Sequence, residues 1–387
     1  MIRFQVAIAG AGPAGAACAV ALLRRDPSLA GRMVLLDRTR FPRDKPCGGG
    51  LTGHALDAMG ALGLRLDVPA VAAGRAHVTL GDLRREVALP RPVVVVRRTE
   101  FDASLVEQAR ELGAEVREGA ALRDFGVRDG GVELETGAGR MRARVLVGAD
   151  GAASLVRRRI APGRRTPLRL LRAELAPAAG AWDDAMLYDF TPMAEGLRGY
   201  LWIFPMPGGG LNVGIMHAPT APLPGGDLAP LLRRRLAALG VRLDGALRGW
   251  PAWPYRARTP LSRPHVLLVG DAAGIDALTG EGIAVGMEQA MVAADTIVDG
   301  LSRDDLRFEG YTAAIRRATV GRELRLDGWL ARLLYGRGWS RWCRMALSDP
   351  ALLDLYAARI AGTTVLADSK REFLWALGRM LFRPARA

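Results

Sequence analysis

The sequence predicts an α/β fold: a βαβ domain, a second β-sheet domain and a helical C-terminal region. Three observations predict it. Residues 4–15 read as an apolar strand closed by a glycine-rich turn, residues 145–151 and 266–274 read as strands ending in glycine-acid turns, and Leu, Ala and Trp recur periodically after residue 316. With 387 residues, half of them apolar and 24% charged, the chain can bury large cores in more than one unit and is neither disordered nor a small disulfide scaffold.

Phe4–Ala9 reads as a buried strand and Pro13–Arg25 as the helix that follows, with Gly10, Gly12 and Gly15 in the turn between them. The twenty uncharged residues from Phe4 to Leu23 do not form a membrane span, because three glycines and Pro13 interrupt them, so a cytoplasmic chain without a transmembrane segment is expected. Gly10 permits the tight turn, Gly12 lets the backbone approach a pyrophosphate, and Gly15 lets the helix lie close on the strand. Asp37 ends the next apolar run, Met33–Leu36, and is placed to accept bonds from ribose hydroxyls. Strand, helix and acidic residue together distinguish this dinucleotide-type unit from an ordinary glycine turn.

Val145–Arg157 contains Gly148, Asp150 and Ser154, and Val266–Gly274 contains Gly270 and Asp271. A carboxylate at the end of a buried strand, as Asp271 is, suits a polyol hydroxyl. Thr279-Gly280-Glu281-Gly282-Ile283 opens a helical stretch to about Asp299, whose first amides can stabilise an anion; the competing reading is that Gly280 and Gly282 only cap a helix. With Arg98 of Arg98-Thr-Glu-Phe101-Asp102, these segments resemble the FAD-binding signature of the flavoprotein class that includes aromatic hydroxylases, flavin halogenases and geranylgeranyl reductases. The fold implied is a Rossmann-like FAD-binding domain with a second β-sheet substrate domain and a helical C-terminal region. The cofactor set implied is Gly10, Gly12, Ala14, Gly15, Asp37, Arg38, Cys47, Gly48, Gly49, Arg98, Asp150, Gly270, Asp271, Gly280, Gly282 and Ile283.

Two segments resemble the geranylgeranyl reductases in particular: Cys47-Gly48-Gly49 and Tyr200-Leu-Trp202-Ile-Phe204-Pro205. That resemblance covers about the first 315 residues. It implies that FAD takes electrons from NAD(P)H or a ferredoxin-type carrier and delivers hydride to carbon–carbon double bonds of an isoprenoid or related lipid. Leu197 and Asp276-Ala277 depart from the family pattern, which has proline three residues before the tyrosine and Asp-Pro in the flavin loop. A flavin monooxygenase that hydroxylates or epoxidises an apolar substrate is the alternative; a halogenase fits less well, since its second motif tryptophan is not matched at Tyr200.

Read without the family, Tyr200, Trp202 and Phe204 alternate with Leu201 and Ile203, so a strand places the three rings on one face. That face is either a substrate wall or a stripe packed on its own core. Cys47, Tyr200 and Trp202 are the catalytic candidates and Tyr200, Trp202 and Phe204 the substrate-binding ones. Cys47 is either the donor or positioner of the proton that alkene reduction needs, or a small residue in a tight loop. Cys18, on the apolar helix, belongs to the core, and the three scattered cysteines and four scattered histidines suggest neither disulfides nor a metal site.

The FAD-binding domain is expected at 1–75, 97–160 and 256–315, the substrate domain at 76–96 and 161–255, and the helical region at 316–387. Within the substrate domain, a hairpin is expected around Gly81-Asp82, an Arg-rich helix near 228–239, and a strand at 211–216. Net charge is +14, carried by 52 arginines and only Lys45 and Lys370 as lysines, a skew that fits base composition more than chemistry. Residues 316–387 hold 14 basic and 6 acidic side chains and four of the eight tryptophans, 329, 339, 342 and 375. They form either a solvated helical cap or a face for peripheral contact with an anionic membrane. No nucleic-acid module is recognisable, so the expected partner is an apolar or lipid substrate.

Overall fold

The computed structural model describes residues 4–163, 166–176, 182, 184–223 and 225–369. Its first sheet is built on the strand Phe4–Ala9, which pairs in parallel with Met33–Leu36 on one side and Gly139–Gly148 on the other. Glu115–Arg117 and Val266–Leu268 extend it in parallel, and the antiparallel hairpin Leu122–Arg128/Gly131–Thr136 is attached to Gly139–Gly148. Both faces of the central strands are covered, which is why they read as unbroken apolar runs. The helix Pro13–Arg25 packs on the long helix Ile283–Arg303, and Gly286 allows it: a Cβ there would meet the Ala14 side chain at 2.9 Å. Cys18 is fully buried between them, and burial pushes its thiol up to about 12.

The second sheet has eight strands, in the order Arg248–Ala252, Leu168–Leu175, Leu211–His217, Leu201–Pro205, Ala185–Asp189, Ala70–Leu80, Leu83–Val96 and Gly50–Leu51. The hairpin at Gly81 begins at residue 70 and not 76, and Gly50–Leu51 pairs with Val94–Val95, so this sheet takes residues 50–51 and 70–75 out of the first segment as read from sequence. The physical reason is pairing: the two-residue strand after the Cys-Gly-Gly loop finds its backbone partners only on the edge of Leu83–Val96. Leu201 and Ile203 point to the back of the sheet, where they pack with Leu232 and Leu236 of the Arg-rich helix Ala229–Ala238. Their period-two neighbours Tyr200, Trp202 and Phe204 therefore face the opposite way, toward the first domain.

Helices Tyr311–Arg317, Thr319–Tyr335, Trp339–Ser348 and Pro350–Ile360 follow. Pro350 opens the last of them, with the Asp349 carboxylate accepting from the amide of Ala351 at 3.0 Å. Trp339 and Trp342 are half-buried against the second sheet, Trp329 is 44% exposed, and Trp375 lies outside the described residues. Among the described residues no helix is long and apolar enough to cross a membrane.

Candidate functional site

The glycine turns of the first domain and the aromatic face of the second sheet enclose one crevice of about 730 Å³. Gly10 has φ +102°, and a Cβ there would meet the carbonyl oxygen of Ala149 at 2.2 Å; a Cβ on Gly15 would meet the carbonyl oxygen of Gly10 at 1.8 Å. Gly12 ends the turn in extended conformation and caps the helix without a side chain, so the first helical amides stay available to an anion. The Asp37 carboxylate is set by three donors: the Ala11 amide and Thr39 amide at 2.9 Å each and the Thr39 hydroxyl at 2.7 Å. Ala14 and Arg38 complete this end of the crevice.

Gly270 has φ +64° and donates its amide to Gln289 Oε1 at 2.8 Å, while Gln289 Nε2 donates to the Gly274 carbonyl at 3.1 Å. Gln289 is fully buried and locks the Gly-Asp turn in place. Asp271 lines the crevice beside Gly282, which caps the helix Ile283–Arg303, and Lys45 Nζ lies 3.8 Å from its carboxylate. Gly280, at φ +77°, sits where a Cβ would press on Met216 Sδ at 3.2 Å. The preceding turn departs from Asp-Pro and is held instead by Asp276, which accepts from the amides of Leu278 and Thr279 at 2.6 and 2.8 Å. Asp150 lines the crevice too, but its carboxylate is spent on the helix Leu155–Ile160, accepting from the Leu155 and Val156 amides at 2.7 and 3.2 Å and from the Ser154 hydroxyl. Asp150 thus caps the adjacent turn at the crevice wall. Arg98 is buried, bound in a bidentate pair to Asp102 at 2.7 and 2.8 Å, with Arg43 3.2 Å from the same carboxylate. Burial opposes the charge on Arg98, but Asp102 and then Cys47 outweigh it and hold the guanidinium's pKa above its usual value.

Cys47, Gly48 and Gly49 pass between the two domains. Cys47 lies beside Arg98, and its thiol accepts from the Gly49 amide at 3.4 Å. Gly48 lies against the aromatic wall: a Cβ there would meet Phe204 at 2.9 Å. Trp202 donates its indole N–H to Asn212 Oδ1 at 2.9 Å, and Asn212 Nδ2 donates to the Cys47 carbonyl at 2.8 Å. Asn212 was not among the residues singled out from sequence; the signal was a polar side chain in the otherwise apolar strand Leu211–His217. Gly214 on that strand makes room for the indole, since a Cβ would meet Trp202 at 2.2 Å. We expect Asn212→Leu to leave a buried indole N–H and a buried carbonyl unpaired, costing about 2–5 kcal/mol in denaturant unfolding; a cost below about 1 kcal/mol would show the bridge to be dispensable.

Tyr200 and Trp202, read from sequence as catalytic and substrate-binding candidates, stand in the aromatic wall of the crevice. The Tyr200 hydroxyl donates to the Thr279 carbonyl at 2.6 Å, and burial keeps it a phenol, so neither polar end is open to a reacting atom. Tyr188 stacks against Tyr200 and Phe204 with centroids 5.6 and 5.3 Å apart. Behind this wall lies a second, apolar cavity of about 180 Å³, lined by Val78, Phe190, Leu330, Leu334, Trp342 and Leu353 among others. Tyr188, Tyr200, Thr279, Tyr356 and Ile360 line both spaces.

The crevice fits FAD. It offers a helix N-terminus for a pyrophosphate, an oriented carboxylate for a ribose, and glycine-lined backbone at Gly12, Gly48 and Gly282 where a ring or phosphate can approach. This fold and site define the class of two-domain FAD-dependent oxidoreductases. An FAD-binding-domain family model matches residues 3–181. Menaquinone reductase of Mycolicibacterium smegmatis is 31% identical over 94% of this chain and 92% of its own length. Digeranylgeranylglycerophospholipid reductase 2 of Methanopyrus kandleri is 28% identical over 79% of both chains. Among solved structures, a geranylgeranyl bacteriochlorophyll reductase-like protein of Thermoplasma acidophilum superposes with a TM-score of 0.68 at 19% identity over 96% of both chains. A flavin-dependent brominase superposes at 0.72 and 20% identity over 97% of this chain and 99% of its own, a likeness of fold alone. The chain belongs to the geranylgeranyl reductase-like family of FAD-dependent oxidoreductases.

Proposed function

We propose that the protein reduces carbon–carbon double bonds in the isoprenoid chain of a lipid, either a prenylated quinone or a geranylgeranyl glycerolipid. The observation that carries this reading is the aromatic wall of Tyr188, Tyr200, Trp202 and Phe204, which lines the cofactor crevice and, through its two tyrosines, adjoins an apolar cavity. A prenyl chain needs no matched hydrogen bond. Burying one isoprene unit contributes about 3–4 kcal/mol before ordering costs, at about 0.8 kcal/mol per CH₂. The two relatives compared above are named for lipids with isoprenoid chains, a quinone in one and a glycerophospholipid in the other.

Bound FAD supplies the hydride, with NAD(P)H or a ferredoxin-type carrier as the class of donor. Gly12 and the amides of the first helix hold the pyrophosphate, Asp37 and Asp271 take polyol hydroxyls, and Asn212 fixes the Cys-Gly-Gly loop against the wall beside the alkene. The test is anaerobic. Dithionite-reduced holoenzyme mixed with a digeranylgeranyl glycerolipid, or with a detergent-dispersed prenylquinone whose quinol is re-oxidised before analysis, is expected to yield, by mass spectrometry, a product heavier by two hydrogens in its isoprenoid chain. A product that carries oxygen, formed only in air, would replace this reading with a monooxygenase.

A further inference from the structure

Behind the Cys-Gly-Gly loop the charges do not balance. His54, in the first turn of the helix Gly53–Leu62, lines the crevice together with Glu281 and Arg359. His54 Nδ1 lies 3.7 Å from Glu288 Oε1 on the long helix, and the Thr52 hydroxyl donates to Glu281. Arg359, from the helix Pro350–Ile360, donates to Glu323 and to Asp327, 2.6 Å each, both on Thr319–Tyr335. Two neighbouring carboxylates are occupied elsewhere, Asp57 by Arg91 and Asp276 by backbone amides. Four carboxylates, Glu281, Glu288, Glu323 and Asp327, thus share one guanidinium and one imidazole. Among the described residues Asp327 Oδ1 and His54 Nε2 are buried without a hydrogen-bond partner, and Asp327 is 1% exposed.

A buried cluster with more carboxylates than cations keeps protons at neutral pH, because ionising every member would leave like charges in a low dielectric. Burial first, then Glu281 and Glu323, push Glu288 up to about 8 against the opposing pull of Arg359; Asp57 adds to the rise. Burial and Asp276 raise Asp327 in the same direction.

Resting on the reductase reading above, we propose that His54 delivers the proton that alkene reduction consumes, and that Glu288 recharges it. The alkene takes hydride on one carbon. On the other, a C–H bond forms as the Nε2–H bond of neutral His54 breaks, and the π electron pair becomes that bond. Nδ1, which faces Glu288, takes the proton of the Glu288 carboxyl as that O–H breaks; solvent then protonates Nε2, and the Nδ1 proton returns to Glu288. The electron pair comes from the external donor class named above. His54 acts on the reacting carbon, and Glu288 acts only through His54.

Two measurements on the FAD-loaded protein test this. In the first, the midpoint potential of the bound flavin is followed against pH without substrate. The wild type should show a change of slope near pH 8, and Glu288→Gln, which keeps shape but cannot ionise, should lose it. In the second, re-oxidation of dithionite-reduced protein by geranylgeraniol is followed in single turnovers. The wild-type rate should fall above about pH 8, Glu288→Gln should lose that fall, and His54→Asn should slow the step about 100-fold at every pH with bound FAD retained. A Glu288→Gln protein that keeps the wild-type profile in both measurements overturns the relay and leaves the reductase reading standing. A wild-type protein that reduces no alkene probe overturns both.

Discussion

Gly10→Ala should purify without bound FAD. The added Cβ would lie 2.2 Å from the Ala149 carbonyl oxygen, at a φ of +102° that L side chains rarely adopt. The obstacle is backbone and cannot swing aside. Ala149 donates its amide to the Ala9 carbonyl at 2.8 Å, and Gly10 donates its own to Leu36 at 2.7 Å, so relief breaks a junction of three parallel strands. Strain of about 1–3 kcal/mol at the turn adds to an overpacking cost of similar size. The sum falls where the pyrophosphate must meet the helix amides, so FAD affinity should drop about 100-fold or more, equivalent to about 3 kcal/mol. The ratio of flavin to protein absorbance and a titration of the apoprotein with FAD measure this. Gly31→Ala is the control: it shares positive φ at +68° but has nothing within 4 Å, so it should lose only about 1 kcal/mol and remain yellow. A Gly10→Ala protein that binds FAD as the wild type does would remove the fingerprint turn from the cofactor site.

The contrast between these glycines marks what was legible in the sequence. Gly10, Gly12, Gly15 and Asp37 lie within one βαβ unit, so their roles follow from local chain geometry and can be read from spacing. The alternation at 200–204 was legible for the same reason, and it fixed which side chains share a face. It left open what that face meets, which depends on Leu232 and Leu236 filling the other side. Asn212 was not legible because it acts on backbone far along the chain, at Cys47, and Gln289 because nothing in a helix interior says that its amide reaches back to the Gly270 turn. Asp150 has a capping role that spacing alone does not show, because a carboxylate after a strand can serve a ligand or cap the next helix, and the positions of Ser154 and Leu155 establish the cap. Arg359 was hidden most deeply. Nothing in a C-terminal amphipathic helix says that one of its arginines returns to the crevice wall to gather two acids of another helix.

Asp102→Ala tests the other end of the loop. Asp102 is fully buried, and its two oxygens take both arms of Arg98 while Arg43 approaches to 3.2 Å. Removing the carboxylate leaves Arg98 charged, because a guanidinium stays protonated at every accessible pH. An uncompensated buried guanidinium costs about 3–5 kcal/mol, the loss expected in denaturant unfolding; a loss within about 1 kcal/mol of wild type would mean that water or Cys47 replaces the carboxylate. The paired change Arg98→Met with Asp102→Leu removes both charges and should recover most of that stability, since a buried ion pair and an apolar pair of similar volume differ little. Function should not recover with it. Arg98 lies beside Cys47, so the Cys-Gly-Gly loop is flanked on one side by Arg98 and bonded on the other by Asn212. With one anchor gone, the loop no longer presents Gly48 squarely to the aromatic wall, so the stable double variant should bind FAD weakly and turn over slowly. Stability restored without cofactor affinity would separate the fold's need for charge balance from the site's need for this particular guanidinium, whereas restoration of both would make Arg98 a structural residue only.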